Sequence, residues 1–508
     1  MDQVRPNSGG RDAVPARLGR VGRFWNGPVC HRYLVVLLLL FTARQAFNVI
    51  IFPPFTGHDE VVHYAYTRNV ATQHRVPEIP DLAQFRTAWV SKDTSSFDFL
   101  PADLYRYCRF VLDWNYCNNP LWANNPPLAV TLVGEIYPHG WQYAANHPPL
   151  YYVLMTPIYL ATDHFSPVVQ QYSLRAAAVP LGLLIVLLTF LIARLLFPRD
   201  DFIPIVATTF VAFETQVAYE AAMVNNDILL VFLFTLLVYL LVRGIRQGFD
   251  LSAVAVIGLV FGLGLLAKAT MLSAAPLIAL VVIFAVGIQH VRRWMAYGST
   301  IVAIALAVSW PWYLFLHRTY GNFSALPQVK ALQFSHTYRG EPKPSMLDLF
   351  WNGNFAKERW AETWGEFGWR LIHLRQWLLD AIGFPLLIMT VAAVLGLIWA
   401  TRSWWKQDRH RARPELSGTQ VGGLWLLIAV CVIAYGAMLQ FGTEFELTQA
   451  RYYFNGVAAV GILIAFGLRL LVPLRARPLF ATLFLLFMIS INVMIYSQAV
   501  LPYWYLPS

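Results

Sequence analysis

The sequence predicts an all-α polytopic membrane protein with about 11–12 transmembrane helices. Two observations lead to this class. Of the 508 residues, 57% are hydrophobic and only 13% are charged, and the mean hydropathy is +0.50. The apolar residues also come in runs of about 18 or more, which is typical of membrane helices and not of soluble domains.

The net charge of +10 does not indicate a nucleic-acid partner. The basic residues cluster in short loops between the apolar runs, where positive charge sets the orientation of membrane helices. We therefore expect the membrane, and no nucleic acid, as the partner of this charge.

Eleven apolar stretches are long enough to cross the bilayer. They are 33–53, 172–197, 203–223, 228–245, 252–267, 271–290, 298–318, 378–400, 421–441, 452–472 and 478–500. A further stretch, 149–162, is shorter and contains Pro157. At about 1.5 Å per residue it barely covers a hydrocarbon core of about 30 Å, so it either crosses or stays on one side.

The basic segment before the first span predicts a cytoplasmic N-terminus. If 149–162 stays on the outer side, all later basic loops fall inside, and this arrangement is favoured because several independent loops agree on it. It gives eleven crossings and an outer C-terminus. The predicted parts are a cytoplasmic segment 1–32, a transmembrane module 33–318 that includes a long outer loop 54–147 carrying short helices, an outer loop 319–377, and C-terminal transmembrane helices 378–508.

The four cysteines fall into two groups. Cys30 and Cys431 lie in or beside apolar runs and are expected to act as small apolar side chains. Cys108 and Cys117 share the first outer loop and could form a disulfide if that loop faces an oxidising compartment, a pairing that the sequence leaves open.

Asp59 and Glu60 follow the first span directly, between His58 and His63. Adjacent carboxylates repel each other, which favours a shared proton or cation, or side chains that point apart. One carboxylate could act as a general base on a hydroxyl while the other orients it or binds a metal. The alternative is a solvated interfacial pair without a chemical role.

His147 precedes two prolines that fix the entry into 149–162. It could bind a metal or a phosphate, or it could cap the helix that follows. Asn225, Asn226 and Asp227 stand at the start of another span, where such residues often serve only as caps.

Lys268 lies between two apolar runs, and Arg451 lies at the outer start of a span. Each could be an interfacial residue, or each could bind a phosphate, lysine as a point charge and arginine as a clamp. Trp364 and Trp369 belong to an aromatic segment that could form part of an interfacial belt. They could instead stack on a sugar or cover an isoprenoid chain.

Together these motifs resemble the GT-C superfamily of polytopic membrane glycosyltransferases. The likeness is to the branch of protein O-mannosyltransferases, lipid A aminoarabinose transferases and their bacterial relatives. It is carried by PPFTGHDEVVHYAY (53–66), NHPPLYYVLMTPIY (146–159), AAMVNNDILLVF (221–232), GLGLLAKATMLSAAP (262–276), TWGEFGW (363–369) and QARYYFN (449–455).

The resemblance implies a sugar donor linked to a polyprenyl phosphate, with Lys268 and Arg451 as partners of the phosphate. It implies that Asp59 and Glu60 activate the acceptor, a hydroxyl of a lipid, polysaccharide or protein, on the outer face of a membrane that we expect to be a bacterial plasma membrane. The residues expected to line the cavity are His58, His63, His147, Asn225, Asn226, Asp227, Trp364 and Trp369.

Members of this superfamily differ in their use of a divalent metal. A metal held by Asp59, Glu60 and His147 therefore stays open, and no other cofactor is expected.

Two other classes of protein are alternatives. A transporter or lipid flippase places ionisable residues near the midplane of the bilayer and often contains internal repeats. Here the polar residues stand at the ends of spans, and we find no convincing repeat. A non-catalytic relative could keep the fold as a scaffold, since fold alone does not determine function, but the acidic pair argues against it.

Overall fold

The computed structural model describes residues 29–81, 83, 142–332, 343–368, 370–407, 416–445 and 448–505. The helices are α1 Val29–Ile51, α2 Glu60–Gln73, α3 Leu150–Ala161, α4 Pro167–Leu196, α5 Phe202–Phe213, α6 Thr215–Glu220, α7 Asp227–Gln247, α8 Leu251–Ala267, α9 Ala275–Val286, α10 Val291–Tyr320, α11 Leu326–Leu332, α12 Met346–Trp351, α13 Gly353–Gly365, α14 Gln376–Gln407, α15 Gly418–Gly442, α16 Val457–Leu471, α17 Arg477–Ile495 and α18 Leu501–Tyr505.

Short irregular elements join several of these helices. The 3₁₀ segments are Ala269–Ala274, Ala450–Gly456 and Leu474–Ala476, and a π-helical segment, Tyr496–Val500, joins α17 to α18. The antiparallel strands β1 (Glu366–Phe367) and β2 (Ile372–His373) form a small hairpin between α13 and α14.

Apolar helices dominate the described part of the chain. Nine are long and apolar enough to cross a membrane, and three shorter ones, α3, α5 and α8, are also apolar. The chain is therefore an all-α, multi-pass integral membrane protein, as the sequence predicts.

The two ends of the helical bundle carry different side chains. One end, which we call the site face, holds Asp59, Asp227, Lys268 and Arg451. The other end, which we call the basic face, holds Asp200, whose carboxylate pairs with Arg469 at 2.5 Å and with Arg477 at 3.6 Å.

The chain alternates between these two faces. α1 starts at the basic face, where Cys30 Sγ lies 3.0 Å from Asp201 Oδ1, and leads to Asp59 on the site face. Within the described ranges, the nine long helices and the short helices α5 and α8 each join one face to the other. These passes agree with the predicted eleven crossings.

α3 begins and ends on the site face. At its start, the ring of His147 stacks with that of His63 at 6.0 Å. Beyond its end, Gln170 Nε2 donates to the carbonyls of Asp163 at 3.2 Å and Phe165 at 3.0 Å, and Gln170 in turn accepts from Tyr64. The stretch 149–162 therefore stays on one side, as the charge pattern favours.

Close helix contacts in this bundle depend on glycine at two crossings. A Cβ on Gly467 of α16 would lie 1.8 Å from the carbonyl oxygen of Met389 in α14, and one on Gly262 of α8 would lie 3.0 Å from the backbone of Ala305 in α10. Small residues at such crossings let backbones approach closely, which improves van der Waals packing in lipid.

Some predicted spans are interrupted. The stretch 203–223 is divided into α5 and α6 at Glu214, whose carboxylate accepts from the N–H groups of Gln216 at 3.2 Å and Val217 at 2.6 Å and so caps α6. The stretches 271–290 and 452–472 begin in 3₁₀ segments. These interruptions lie on the site face, where they position Lys268 and Arg451.

Several predictions fall on residues outside the described ranges. They concern the segment before Val29, the pairing of Cys108 with Cys117, most of the loop 54–147, and Trp369.

Candidate active site

Asp59 stands at the turn between α1 and α2 and is the N-cap of α2. Its backbone is left-handed, with φ 54° and ψ 15°, a conformation that aspartate tolerates better than most residues. This turn lets the chain leave the first span and begin α2 at once. It therefore holds the Asp59 carboxylate at the site face.

The Asp59 carboxylate has two polar neighbours. Tyr143 donates its hydroxyl to Oδ1 at 3.0 Å, and Arg451 Nη2 donates to Oδ2. Although burial raises the pKa of Asp59, the Arg451 guanidinium holds it below its usual range. The lowered pKa keeps Asp59 ionised near pH 7. Its side chain is 20% exposed, so it can be reached from outside the bundle.

Asp227 and Lys268 form a second buried ion pair beside Asp59. Asp227 is the first residue of α7, and Lys268 lies in extended backbone between α8 and a 3₁₀ segment. Lys268 Nζ donates to Asp227 Oδ1, and the side chains are 8% and 6% exposed. The break between two helices thus brings the ammonium group to the start of a third.

Arg451 joins the two pairs. Its Nη2 contacts Asp59, and its Nη1 lies 3.5 Å from Asp227 Oδ2. The ring of Tyr452 lies 5.0 Å from Lys268 Nζ and 5.6 Å from Arg451 Cζ, so one aromatic ring makes cation–π contacts with both cations. We call Asp59, Asp227, Lys268 and Arg451 the charged tetrad.

The tetrad has unused hydrogen-bonding capacity. Within the described residues, Arg451 Nε, Arg451 Nη1 and Asp227 Oδ2 are buried without a hydrogen-bond partner. Unpaired buried donors of this kind are unfavourable unless a ligand or water meets them. The arrangement is therefore suited to receive an anionic group that takes up the free donors of Arg451.

Glu60 points away from Asp59 into the bundle. Its oxygens accept from Arg175 Nε at 2.7 Å and Nη2 at 2.6 Å, and also from the backbone N–H groups of Gly57 at 2.9 Å and Val224 at 3.0 Å. Both Glu60 and Arg175 are fully buried. Both carboxylate oxygens of Glu60 are thus engaged by hydrogen bonds within the protein.

Arg175 extends this contact to the end of the first span. Its Nη1 and Nη2 groups donate to the carbonyls of Val49, Phe52 and Pro53. These carbonyls belong to the last turn of α1 and the residues after it, which would otherwise lack partners. The Glu60–Arg175 pair therefore fixes the turn that carries Asp59.

His58 belongs to a separate buried pair. Its Nδ1 lies 2.8 Å from Glu220 Oε1, and Asn225 Nδ2 donates to Glu220 Oε2 at 3.2 Å. His58 Nε2 is buried without a hydrogen-bond partner among the described residues.

His63 and His147 line the side of the site formed by α2 and α3. Burial lowers the pKa of His63 to about 4 and that of His147 to about 3, so both rings are neutral near pH 7. His63 Nδ1 lies 2.9 Å from the hydroxyl of Tyr152. These rings are consequently not counter-charges for an anionic ligand.

The two asparagines serve the fold. Asn225 Oδ1 accepts from the N–H of Ile228 at 3.1 Å, and Asn226 Nδ2 donates to the carbonyl of Ala267 at 3.1 Å, next to Lys268.

Trp364 is buried in α13, and its backbone carbonyl accepts a hydrogen bond from the Thr215 hydroxyl. Because the Trp364 ring is buried, its position does not support the predicted role of stacking on a sugar.

Two residues that the sequence did not single out organise the site. Arg175 is one, and an arginine in the interior of a 30-residue apolar helix, far from the terminal Arg194, indicates a polar partner. Glu362 is the other. Its Oε2 accepts the N–H of Ala450 at 2.8 Å, and its Oε1 contacts Arg359 and Arg370, so α13 holds the 3₁₀ segment that carries Arg451.

The electrostatics of Glu362 follow from the same contacts. Burial, with repulsion from Glu366, raises the pKa of Glu362 to about 7, against the attraction of the two arginines.

Asp59, Glu60 and His147 do not converge on one point, because Glu60 is turned to Arg175. In the described ranges no three histidine, cysteine or acidic side chains are grouped so that they could hold a metal ion.

A family model supports part of the resemblance predicted from sequence. The model described as dolichyl-phosphate-mannose-protein mannosyltransferase matches residues 146–314. This range contains His147, Asp227 and Lys268, whereas Asp59 and Arg451 lie outside it. No curated protein matches the chain by sequence.

Solved structures of membrane glycosyltransferases are partly similar. The Archaeoglobus fulgidus oligosaccharyltransferase in complex with Zn and sulfate has a TM-score of 0.46 at 14% identity, over 90% of this chain and 52% of that chain. ArnT from Cupriavidus metallidurans bound to undecaprenyl phosphate has a TM-score of 0.35 at 12% identity, over 86% of this chain and 77% of that chain.

A third similar structure is the A. fulgidus oligosaccharyltransferase AglB with an inhibitory peptide and a dolichol-phosphate. Its TM-score is 0.42 at 15% identity, over 91% of this chain and 55% of that chain. The chain thus spans about half the length of the archaeal protein. Over residues 146–314, the chain is similar to dolichyl-phosphate-mannose-protein mannosyltransferases, in agreement with the branch predicted from the sequence.

Proposed function

We propose that the chain is a membrane glycosyltransferase that moves a sugar from a polyprenyl-phosphate donor to an acceptor hydroxyl. The observation that carries the proposal is the charged tetrad, in which a partly exposed, ionised Asp59 shares Arg451 with Asp227, and Asp227 in turn pairs with Lys268. The family match over residues 146–314 supports the same class. The acceptor is a hydroxyl of a lipid, a polysaccharide or a protein.

Lys268 and Arg451 are the proposed partners of the donor phosphate. Both cations lie on the site face beside Tyr452, Lys268 at the end of α8 and Arg451 in the 3₁₀ segment Ala450–Gly456. Arg451 has two buried nitrogens without hydrogen-bond partners among the described residues. A phosphate would satisfy these donors, and guanidinium–phosphate hydrogen bonds are among the stronger ones in proteins.

Asp59 is the proposed general base. In the structure Arg451 holds its carboxylate, which makes Asp59 a weak base. A donor phosphate that binds Arg451 would draw the guanidinium from Asp59 and raise the proton affinity of its carboxylate. Donor binding would in this way prepare the base before an acceptor hydroxyl arrives.

The proposed step is a single displacement at the anomeric carbon. The acceptor oxygen forms its bond to that carbon while its proton passes to Asp59. The bond from the anomeric carbon to the phosphate oxygen breaks, and the electron pair leaves with the lipid phosphate. Lys268 and Arg451 stabilise the charge that develops on this leaving group.

Glu60 has a structural part in this proposal, because its carboxylate is committed to Arg175 and two backbone N–H groups. A role for it in acceptor activation would require breaking that network. We place the site face outside and the N-terminus in the cytoplasm, since the short connectors between spans at the basic face carry arginines such as Arg199 and Arg475. A bacterial plasma membrane is the proposed location.

The transporter alternative is less well supported. Transporters place their ionisable residues near the bilayer midplane. The charged tetrad instead stands at one face, at helix starts and at breaks between helices.

The test is transfer of a radiolabelled sugar from a polyprenyl-phosphate sugar pool, in membranes that contain the wild type or Asp59→Asn. We expect the variant to lose about a hundredfold or more in rate, the usual range for removal of a general base. Asp163→Asn is the matched control, because Asp163 is an exposed acid on the same face and should retain the wild-type rate.

Both variants must first show wild-type amounts of folded protein by size-exclusion chromatography. Wild-type transfer by Asp59→Asn would remove Asp59 as the base. Absence of transfer by the wild type, across several donor pools, would move the assignment to a transporter or a scaffold.

A further inference from the structure

A cavity opens on the basic face, at the end of the bundle opposite Asp59. It has a volume of about 480 Å³ and lies between the ends of α7, α8, α9 and α10. Its lining includes Arg243 of α7, Val256 of α8, Ala285 of α9 and Arg293 of α10. These residues have no part in the charged tetrad.

Two guanidinium groups border this cavity with donors to spare. Arg243 Nε donates to Gln247 at 3.0 Å, and Arg293 Nε donates to the hydroxyl of Tyr297 at 3.1 Å. The ion pairs of the described residues include neither arginine. The terminal nitrogens of both side chains are therefore available to an anion.

The acidic residue in the lining is already engaged. Asp250 caps the start of α8, where its carboxylate accepts from the N–H of Ala253 at 2.7 Å and from the hydroxyl of Ser252 at 2.8 Å. These hydrogen bonds, and more weakly the nearby Arg243, lower the pKa of Asp250, while the capping role directs the carboxylate to the helix terminus. The net charge of the lining remains positive, with two arginines against one engaged aspartate.

The depth of the cavity corresponds to a membrane interface. α7 has 21 residues between Asp227 and Gln247, and at about 1.5 Å per residue it spans about 30 Å, close to the thickness of the hydrocarbon core. Leu251 is 64% exposed and Val256 is 44% exposed. Apolar side chains suited to acyl chains thus adjoin the two arginines.

We propose that this cavity binds the headgroup of an anionic phospholipid from the leaflet that borders the basic face. The lipid phosphate lies between Arg243 and Arg293, and the acyl chains follow Val256 and Leu251. Basic pockets between transmembrane helices are suited to such headgroups, and several hundred Å³ is enough for one. This inference does not rest on the proposed transferase activity.

The experiment uses the full chain, purified in a neutral detergent and stripped of lipid. It is titrated with phosphatidylglycerol, with phosphatidylcholine and with sn-glycerol 3-phosphate. Bound lipid is counted by native mass spectrometry, and affinity is measured from the shift of the thermal unfolding midpoint. We expect phosphatidylglycerol to bind at least about tenfold more tightly than phosphatidylcholine, because two arginine charges favour it, and glycerol phosphate to have no effect.

Three variants test the location of the site. The double variant Arg243→Gln/Arg293→Gln is expected to bind phosphatidylglycerol about thirtyfold more weakly, at roughly fivefold per arginine. Arg292→Gln removes the same charge from an exposed neighbour outside the lining and should bind as the wild type. Ala285→Trp fills the cavity without changing its charge and should also weaken binding.

The proposal is overturned if the double variant and the wild type bind phosphatidylglycerol equally, or if Arg292→Gln weakens binding as much as the double variant. It is also overturned if Ala285→Trp binds like the wild type, since the lipid would then lie elsewhere. Glycerol phosphate binding as tightly as the lipid would identify a site for free phosphate esters instead. All substituted side chains are exposed at helix ends, so the variants are expected to fold.

Discussion

At the scale of single residues, Asp59 and Glu60 are adjacent in the chain but enter different environments. Asp59 is partly exposed and shares Arg451 with Asp227, whereas Glu60 is fully buried against Arg175. Adjacent carboxylates were expected to share a cation or point apart, and they point apart. The sequence could not identify which of them stays accessible, because the partners Arg175 and Arg451 are 115 and 392 residues away.

This difference predicts effects of unequal size on stability. Glu60→Gln should destabilise the protein by about 3–5 kcal/mol, because it leaves the Arg175 guanidinium buried without its carboxylate. Asp59→Asn should have a smaller effect, since Arg451 keeps Asp227 as a neighbour. The measurement is the thermal unfolding midpoint and the yield of monodisperse protein in detergent.

The double variant Glu60→Gln/Arg175→Gln is the control for buried charge. It removes both charges and should recover part of the lost stability. If Glu60→Gln unfolds at the wild-type midpoint, the pair does not fix the turn, and Glu60 returns as a candidate base.

At the scale of elements, the sequence predicted the spans well and their interruptions poorly. Hydropathy is a local property, so ten of the eleven predicted stretches coincide with described helices within a few residues at most ends. The break at Glu214 is capped locally by the Glu214 carboxylate, whereas the 3₁₀ segment Ala450–Gly456 depends on Glu362 from another part of the chain. Hydropathy alone does not locate such interruptions, and two of them carry Lys268 and Arg451.

The 3₁₀ segment Ala450–Gly456 is one such interruption, and α13 holds it in place. Glu362 Oε2 accepts the N–H of Ala450, the residue before Arg451. Glu362→Ala should therefore lower the transfer rate by roughly ten- to hundredfold through misplacement of Arg451. Glu362→Gln keeps an acceptor for Ala450 and should retain most of the rate.

The measurement is sugar transfer over a range of donor concentrations. Arg451 is a proposed donor ligand, so a positioning role should raise the apparent KM for the donor more than that for the acceptor. Glu358→Ala removes an exposed acid of the same helix and is the matched control. Equal KM values for Glu362→Ala and the wild type, with lower yield alone, would leave Glu362 a structural residue only.

At the scale of the whole molecule, the two ends of the helical bundle carry charged groups with different proposed roles. The carboxylates and cations of the tetrad lie at one end of the bundle, and Arg243, Arg293, Arg469 and Arg477 lie at the other. An odd number of passes puts the two described termini on opposite faces. The short helix α3 was the uncertain element in the sequence, and its position on the site face makes the passes odd.

This separation predicts the orientation of the protein in the membrane. Positive charge in short loops is retained in the cytoplasm, so the basic face should be inside and the charged tetrad outside. Single cysteines are introduced into a chain whose Cys30, Cys108, Cys117 and Cys431 are replaced by serine. Lys357→Cys reports on the site face and Gln289→Cys on the basic face, and both positions are exposed.

A membrane-impermeant maleimide applied to intact cells should label Lys357→Cys and leave Gln289→Cys unlabelled until the cells are permeabilised. The reverse pattern would put the tetrad in the cytoplasm, where the donor would have to present its sugar to the inner leaflet. Labelling of both positions in intact cells would mean that the eleven passes do not all cross. Because the probe reports position without requiring activity, its result is independent of the sugar, the acceptor and the assignment of the base.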